Sequence, residues 1–384
     1  MCGIYLDHQS CCPVDPRVEE FAQRYSSIDF GNPSALHSRG LAAKAALEEA
    51  RAKVAELIGA ESPESIIFTG GATQANNLAI RGAALRNAAK GKRLLASQIE
   101  HISVLNPHKD LKKGGFELNL IPVDSTGRID LSSLERLADK ETVLTSIMYA
   151  NGEIGTVQPI REASDIVHDK GQLLHVDGTA AAGKIAVDVQ KDGIDLFTLS
   201  SNDIYGPQGA GALYVRPGLR IQPVLFGGGQ ERGLLPGTEN IYALAGFGEA
   251  ARLARLEMAG ESTRLLTIRD ALIKEILKIE EARLTGHPSQ RLPHHASFRF
   301  SRIEGESILL TMDAMFNIQV STGSACSSRT LEPSHVLLAI GLKPEEAHGS
   351  MIMTLGRQNS MEQVAAIVSA TEKTVERLRA LSPL

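Results

Sequence analysis

The sequence predicts an α/β protein, a mostly parallel sheet with helices on both faces followed by a smaller α+β unit. Three features carry that expectation. From about residue 40 to 255, helical patterns alternate with short β-branched runs, the order parallel strands need when each crossover is a helix. A turn of small residues at 69–73 joins the first strand of that series to the next helix. After a long helical stretch at 240–280 the texture of the chain changes.

The elements follow in order. GLAAKAALEEARAKVAELIGA (40–60) sets Leu41, Ala45, Leu47, Val54 and Leu57 at roughly helical spacing, and SIIFTGG then reads as a buried strand ending in a glycine turn. ATQANNLAIRGAALRNAAKG is the next helix. RLLASQ, FELNLIPV, TVLTSIMYA, QLLHVDG, LFTLSS and GALYV read as further strands, separated by helical or loop segments such as REASDIVHDKG. Beyond the long helical stretch, ASFRFS, ESILLTMDA and MIMTLGR suggest a small antiparallel α+β unit closed by the helix SMEQVAAIVSATEKTVERLRAL. Neither a repeat nor a low-complexity segment interrupts this order.

Length and composition narrow the function. The chain has 384 residues, 40 basic and 45 acidic side chains, and a formal net charge of −5. That length predicts two lobes with sizeable cores. Balanced charge excludes nucleic-acid binding driven by bulk basicity. With no apolar run of spanning length and no basic or apolar leader in MCGIYLDHQS, neither a membrane span nor a signal peptide is expected, and the expected location is the cytoplasm. Four cysteines in so long a chain make no disulfide framework and direct attention to thiolate chemistry or metal binding.

The turn Thr69, Gly70, Gly71, Ala72, Thr73 is a candidate anion site, because a helix N-terminus offers unpaired N–H groups and small residues let an anion approach. Small residues also make ordinary βα turns. Context favours the ligand: His101, Asn151, Asp177 and Ser200 each follow a predicted strand, at the carboxyl edge where open α/β sheets place ligands. A planar phosphorylated cofactor, with a face for His101 and a ring nitrogen for Asp177, fits this set.

These segments, with YLDHQSCCPVDPRV, GNPSALHSRG, NGEIGTVQPI, LLHVDGTAAAGK, GGGQERGLLPGTENI, GESILL and STGSACSSRTLEPSHVL, resemble the NifS/IscS cysteine desulfurases. Those are class V aminotransferases, pyridoxal-phosphate (PLP) enzymes of fold type I. The resemblance covers essentially the whole chain. It implies a homodimer with a large, mostly parallel seven-stranded domain (13–258) and a small α+β domain from both chain ends (1–12 and 259–384). It further implies a phosphate cup of Gly71, Ala72, Thr73 and Ser200, with Thr238 contributed across the dimer. His101 would stack on the ring, Asp177 face the pyridine nitrogen, and Asn151 lie near the ring oxygen. Cys326 matches the cysteine that attacks substrate sulfur and carries the persulfide. A U-type iron–sulfur scaffold is the implied acceptor.

The chain departs from that family pattern at three positions. The family's cofactor lysine lies in Ser-x-His-Lys-x-Tyr-Gly-Pro, and here Asp203 takes its place in 200–207. A carboxylate forms no imine with an aldehyde, so anchor and general base are lost together. Lys184, Lys191 and Lys109 are substitutes that spacing does not recommend. The glutamine supporting the ring oxygen is Ala180, and the arginine clamping the substrate carboxylate is Ile352. The surviving phosphate cup leaves room for noncovalent PLP.

Cys2, Cys11 and Cys12 fall in the first dozen residues, which in the family pass close to the substrate pocket. Together with Cys326 they are candidate ligands of an iron–sulfur cluster, which soft thiolates suit, or carriers of sulfane sulfur. Geometry restrains the cluster reading. Neighbours in an extended segment point to opposite faces, and Cys2 is nine residues from Cys11, about 30 Å if extended. The CxxC spacing of common zinc sites is missing. The readings that follow are a sulfur-transfer protein with a degenerate PLP site, an iron–sulfur enzyme on a retired PLP scaffold, and a noncatalytic assembly platform. His335 and His348 read as loop or helix-end residues, and the charge-rich 270–285 stretch as the solvated face of a helix.

Overall fold

The computed structural model describes residues 3–323 and 333–381. A two-residue strand, β1 (Ile4–Tyr5), precedes α1 (Pro16–Ser27) and α2 (Ser38–Leu57). Asp15 starts α1 by accepting a hydrogen bond from the Arg17 amide, with Pro16 as the first helical residue, where a missing N–H costs nothing. α2 buries Ala43, Leu47, Ala50 and Val54. Leu41, expected on that stripe, is 55% exposed.

The central layer comprises β2 (Ile66–Thr69), α3 (Ala72–Asn87), β3 (Arg93–Ser97), α4 (Ile102–Lys113), β4 (Glu117–Ile121), α5 (Leu131–Leu137), β5 (Thr142–Ser146), α6 (Ile160–Asp169), β6 (Leu173–Asp177), β7 (Leu196–Ser200) and β8 (Gly211–Val215). Its seven strands run in the order β2-β8-β7-β6-β5-β3-β4. β8 is antiparallel to β2 and β7, and the remaining pairs are parallel. Every residue of β5, β7 and β8 is buried, as expected of strands covered on both faces. The parallel strands deliver β3, β5, β6 and β7 to one carboxyl edge, so Ser97, Ser146, Asp177 and Ser200 end their strands side by side.

α7 (Ile241–Ile276) is a single helix of 36 residues. Ala243, Leu244, Phe247 and Ala251 pack in the core of the central layer. Leu265, Ile268, Leu272 and Ile276 pack in a second core. The expected domain division between residues 258 and 259 thus falls within a continuous helix, not a linker. The 270–285 stretch is not one solvated helix either: α7 stops at Ile276 with Leu272 and Ile276 buried, and β9 (Ala282–Leu284) follows. Charged residues occupy its outer side while its apolar residues close the second core.

Around that core lie β10 (His295–Phe300), α8 (Gly305–Phe316), β11 (Ile318–Gln319), α9 (His335–Ala339), α10 (Pro344–Ala347), β12 (Ser350–Thr354) and α11 (Val364–Leu381). β12, β10 and β9 form an antiparallel sheet, and the 306–314 run supplies helix α8. β1 pairs parallel with β11 and Leu6 is buried in the same core, which ties residues 4–6 to the far end of the chain. No helix among the described residues is long and apolar enough to cross a membrane.

Candidate functional site

The turn between β2 and α3 has the geometry of an anion cup. Gly71 is the N-cap of α3, with φ 141° and no side-chain cap. A Cβ built there would meet no atom within 4 Å, so space is open above the first amides of a sixteen-residue helix. Gly211, at the start of β8, fits against this turn because it has no side chain: a Cβ on it would lie 2.7 Å from the Gly71 Cα. Ala72 and Thr73 form the first helical turn. Ser200 is buried, and its hydroxyl donates to Asn202 Oδ1 at 2.6 Å. Thr238 is exposed on the segment leading into α7.

Beside the cup, Asp177 ends β6 and is 6% exposed. Its Oδ2 accepts from Asn76 Nδ2 at 2.8 Å. Its Oδ1 accepts from the Thr179 amide at 3.0 Å and hydroxyl at 2.5 Å. Asn76 also donates to Ser103 Oγ at 2.8 Å, which lies 2.7 Å from His101 Nδ1. A continuous polar chain therefore joins the expected ring-nitrogen partner to the expected stacking residue. Asn76 and Ser103 escaped the sequence reading. The signal for Asn76 was a polar residue on the buried side of the Ala-rich helix ATQANNLAI.

Asn151 is buried and shapes the exit of β5. Its Nδ2 donates to the Ile99 carbonyl at 3.0 Å, and its Oδ1 accepts from the Glu153 and Ile154 amides at 2.8 and 2.9 Å. Ala180 is buried in the loop after β6, and Ile352 lies buried in β12 opposite Ser297. His335 opens α9 with its Nε2 2.9 Å from the Glu100 carbonyl oxygen, and His348 caps α10.

Asp203 is buried next to Ser200. Burial pushes its carboxyl up to about 7, against the pull of a Ser200 hydrogen bond and of Lys184, and Asp177 pushes in the same direction as burial. Two residues on, Tyr205 has φ 66°, a conformation that costs a bulky side chain free energy and clusters at functional segments. The Lys184 ammonium lies over its ring, 4.6 Å from the centroid, and so does the Arg357 guanidinium, at 4.5 Å. Of the three candidate lysines, Lys109 and Lys191 are exposed and Lys191 pairs with Asp188 at 2.7 Å. Lys184 turns inward.

Cys2 and Cys326 lie outside the described residues. Cys11 is partly exposed, and its sulfur accepts from Gln208 Nε2 at 3.0 Å. Cys12 is 2% exposed. Its thiol lies 3.2 Å from the His8 carbonyl, 3.7 Å from the Asp203 carbonyl and 4.0 Å from Lys184 Nζ. Burial pushes this thiol up, opposed by Lys184. The adjacent sulfurs thus have different partners. No three His, Cys, Asp or Glu side chains among the described residues converge as a metal site.

The aminotransferase class-V family pattern matches residues 4–367. The chain belongs to the class-V aminotransferases. Among class-V relatives, cysteine desulfurase IscS 1 of Archaeoglobus fulgidus is 53% identical over 380 residues, 99% of each chain. Cysteine desulfurase IscS of Dictyoglomus turgidum is 45% identical over 381 residues, covering 99% of this chain and 96% of the relative. Among solved structures, a NifS-like protein superposes with a TM-score of 0.92 at 32% identity, covering 98% of this chain and all of the other. The fold is that of the PLP-dependent type I enzymes, as the resemblance implied.

Proposed function

We propose that this class-V protein is a cysteine-desulfurase-like component of sulfur transfer for iron–sulfur assembly, acting as a homodimer with Cys326 as the sulfur carrier and a PLP site that lacks its covalent anchor. The observation that carries the reading is the buried carboxyl of Asp203 beside an otherwise preserved cup. The residues present fit part of PLP. The open space above Gly71 suits the phosphate, with Ala72, Thr73, Ser200 and a partner-supplied Thr238 completing the cup. His101 would lie on the ring and Asp177, held by Asn76 and Thr179, would face its nitrogen. When bound, PLP supplies an electron sink.

At the remaining end the fit fails. Position 203 offers a carboxyl close to half-ionised near neutrality, which holds or releases a proton at Oδ but cannot bond the aldehyde carbon. Ala180 and Ile352 remove the ring-oxygen support and the carboxylate clamp. Losing a positioned general base costs about 10²–10⁴ in rate, so free cysteine is a poor sulfur source and a persulfide is the better one. Exposed apolar side chains such as Leu36 and Phe226, 91% and 87% exposed, are ones a partner subunit would cover. The facing of Cys11 and Cys12 toward different partners favours sulfur handling over shared cluster ligation.

The test is anaerobic sulfur transfer from cysteine persulfide to a U-type scaffold protein. Transfer is expected through the wild-type chain and to be lost in Cys326→Ala. With L-cysteine and PLP instead, sulfide release stays at the level of free PLP. Turnover of L-cysteine well above that level contradicts the degenerate site, and transfer that survives Cys326→Ala points to a noncatalytic platform.

A further inference from the structure

Resting on the cup reading above, we propose that Glu231 is a positioning residue for the cofactor phosphate, acting through Thr238. With Arg51 it fastens the 229–238 segment to β2 and so sets the threonine that each subunit offers to its partner's cup.

β2 ends the strand order of the central sheet, and among the described residues no strand pairs with its outer side. Glu231 and Arg51 occupy that side instead. The Phe68 amide donates to Glu231 Oε2 at 2.7 Å, and Arg51 Nη1 donates to the Ile66 carbonyl at 2.9 Å. The two side chains join through a two-pronged pair, Nη1 to Oε2 and Nη2 to Oε1, each 2.8 Å. The guanidinium also lies over the Phe68 ring, 4.8 Å from its centroid. Both side chains are buried. Backbone groups that an edge strand leaves open are thus filled by an ion pair whose acidic half comes from a loop 163 residues away from Phe68.

That loop is held in a strained shape. Glu231 and Arg232 have φ of 45° and 60°, a left-handed backbone that disfavours residues other than glycine and persists only where the surroundings enforce it. The buried carboxylate supplies that enforcement toward β2. Toward the other side, neighbouring Gln230 accepts from the Gly237 amide through its Oε1 at 3.2 Å, one residue before Thr238. Consecutive side chains therefore grip β2 and the Thr238 turn, and the exposed threonine is registered against the sheet that carries the cup. A purely stabilising role accounts for less of this. A buried ion pair contributes little net stability over apolar residues of similar size, whereas its two-pronged geometry fixes direction as well as distance.

Fluorescence titration with PLP across a double-mutant cycle of Glu231→Gln and Thr238→Ala tests this. Each single variant is expected to bind PLP about tenfold more weakly, the worth of one hydrogen bond to a charged group. Glu231→Gln should add no further loss once residue 238 is alanine. Additive losses would mean that Glu231 acts through β2 or through stability alone, and they overturn the proposal, as does unchanged affinity in Glu231→Gln. Because that variant leaves Arg51 buried without its anion, the combination of Glu231→Gln with Arg51→Met, which removes both charges, is carried through the same cycle. Thermal melts show which of the two is folded, and the same non-additivity with Thr238→Ala is expected of it. If Thr238→Ala binds PLP as the wild type does, or the wild type binds none, the wider assignment of the cup falls and the proposal with it. A weakened Thr238→Ala with additive Glu231→Gln defeats the proposal alone.

Discussion

On the proposed reading a carboxyl stands at position 203 where the family has an amine, which alters charge, reach and acid strength together, and the surrounding side chains determine what remains. Asp177 keeps its geometry because Asn76 and Thr179 occupy both of its oxygens. Asn76→Ala leaves Oδ2 short of one donor inside the protein, a loss of about 1–3 kcal/mol. The expected outcome is a lower melting temperature and PLP binding weakened about tenfold, measured by fluorescence titration; unchanged affinity would show that Asn76 does not position Asp177. Gly71, His101, Asp177 and Asp203 were legible in the sequence because a motif frames each of them. Asn76 and Ser103 were not, since their contacts join segments far apart in the chain, which local pattern does not encode.

Among the elements, the fit of β8 against the β2–α3 turn controls the cup. Gly211→Ala places a methyl group 2.7 Å from the Gly71 backbone, an overpacking cost of about 1–3 kcal/mol. It should open or tilt the α3 N-terminus, so PLP affinity falls along with the melting temperature; a melting change without loss of affinity would separate the turn from ligand binding. The strands of the central sheet were legible as apolar runs bounded by turns. The antiparallel direction of β8 was not, because a strand buried on both faces reads alike either way along the chain. α7 concealed the change of core for a similar reason: helical periodicity continues from Ala243 to Ile276 while the neighbours change from one core to the other.

For the whole molecule, buried ionisable groups predict how stability depends on pH. Glu100 and Asp203 are buried, and burial raises their carboxyls to about 8 and about 7. Between their ordinary range near 4 and those values the folded state holds protons that the unfolded chain has released, so stability falls as pH rises. His108, His175 and His295 act oppositely: burial lowers them to about 4, 3 and 3, so stability falls as pH drops below about 6.5. The melting temperature should peak near pH 6.5 and decline toward pH 8.5, with the decline reduced in Asp203→Asn. A melting temperature that rises across that interval contradicts the assignment. The family-scale fold was legible because hydrophobic pattern and motif order agree along the whole chain. The division at 258 was less so, since one helix serves both cores.

Borohydride reduction with PLP, followed by peptide mapping, tests the central claim most directly. The Asp203→Lys variant should acquire a pyridoxyl group at position 203, showing that the cup accepts the cofactor, while the wild-type chain acquires none on any lysine. A stoichiometric pyridoxyl group on Lys184, or on any other lysine of the wild-type protein, would contradict a site without a covalent anchor.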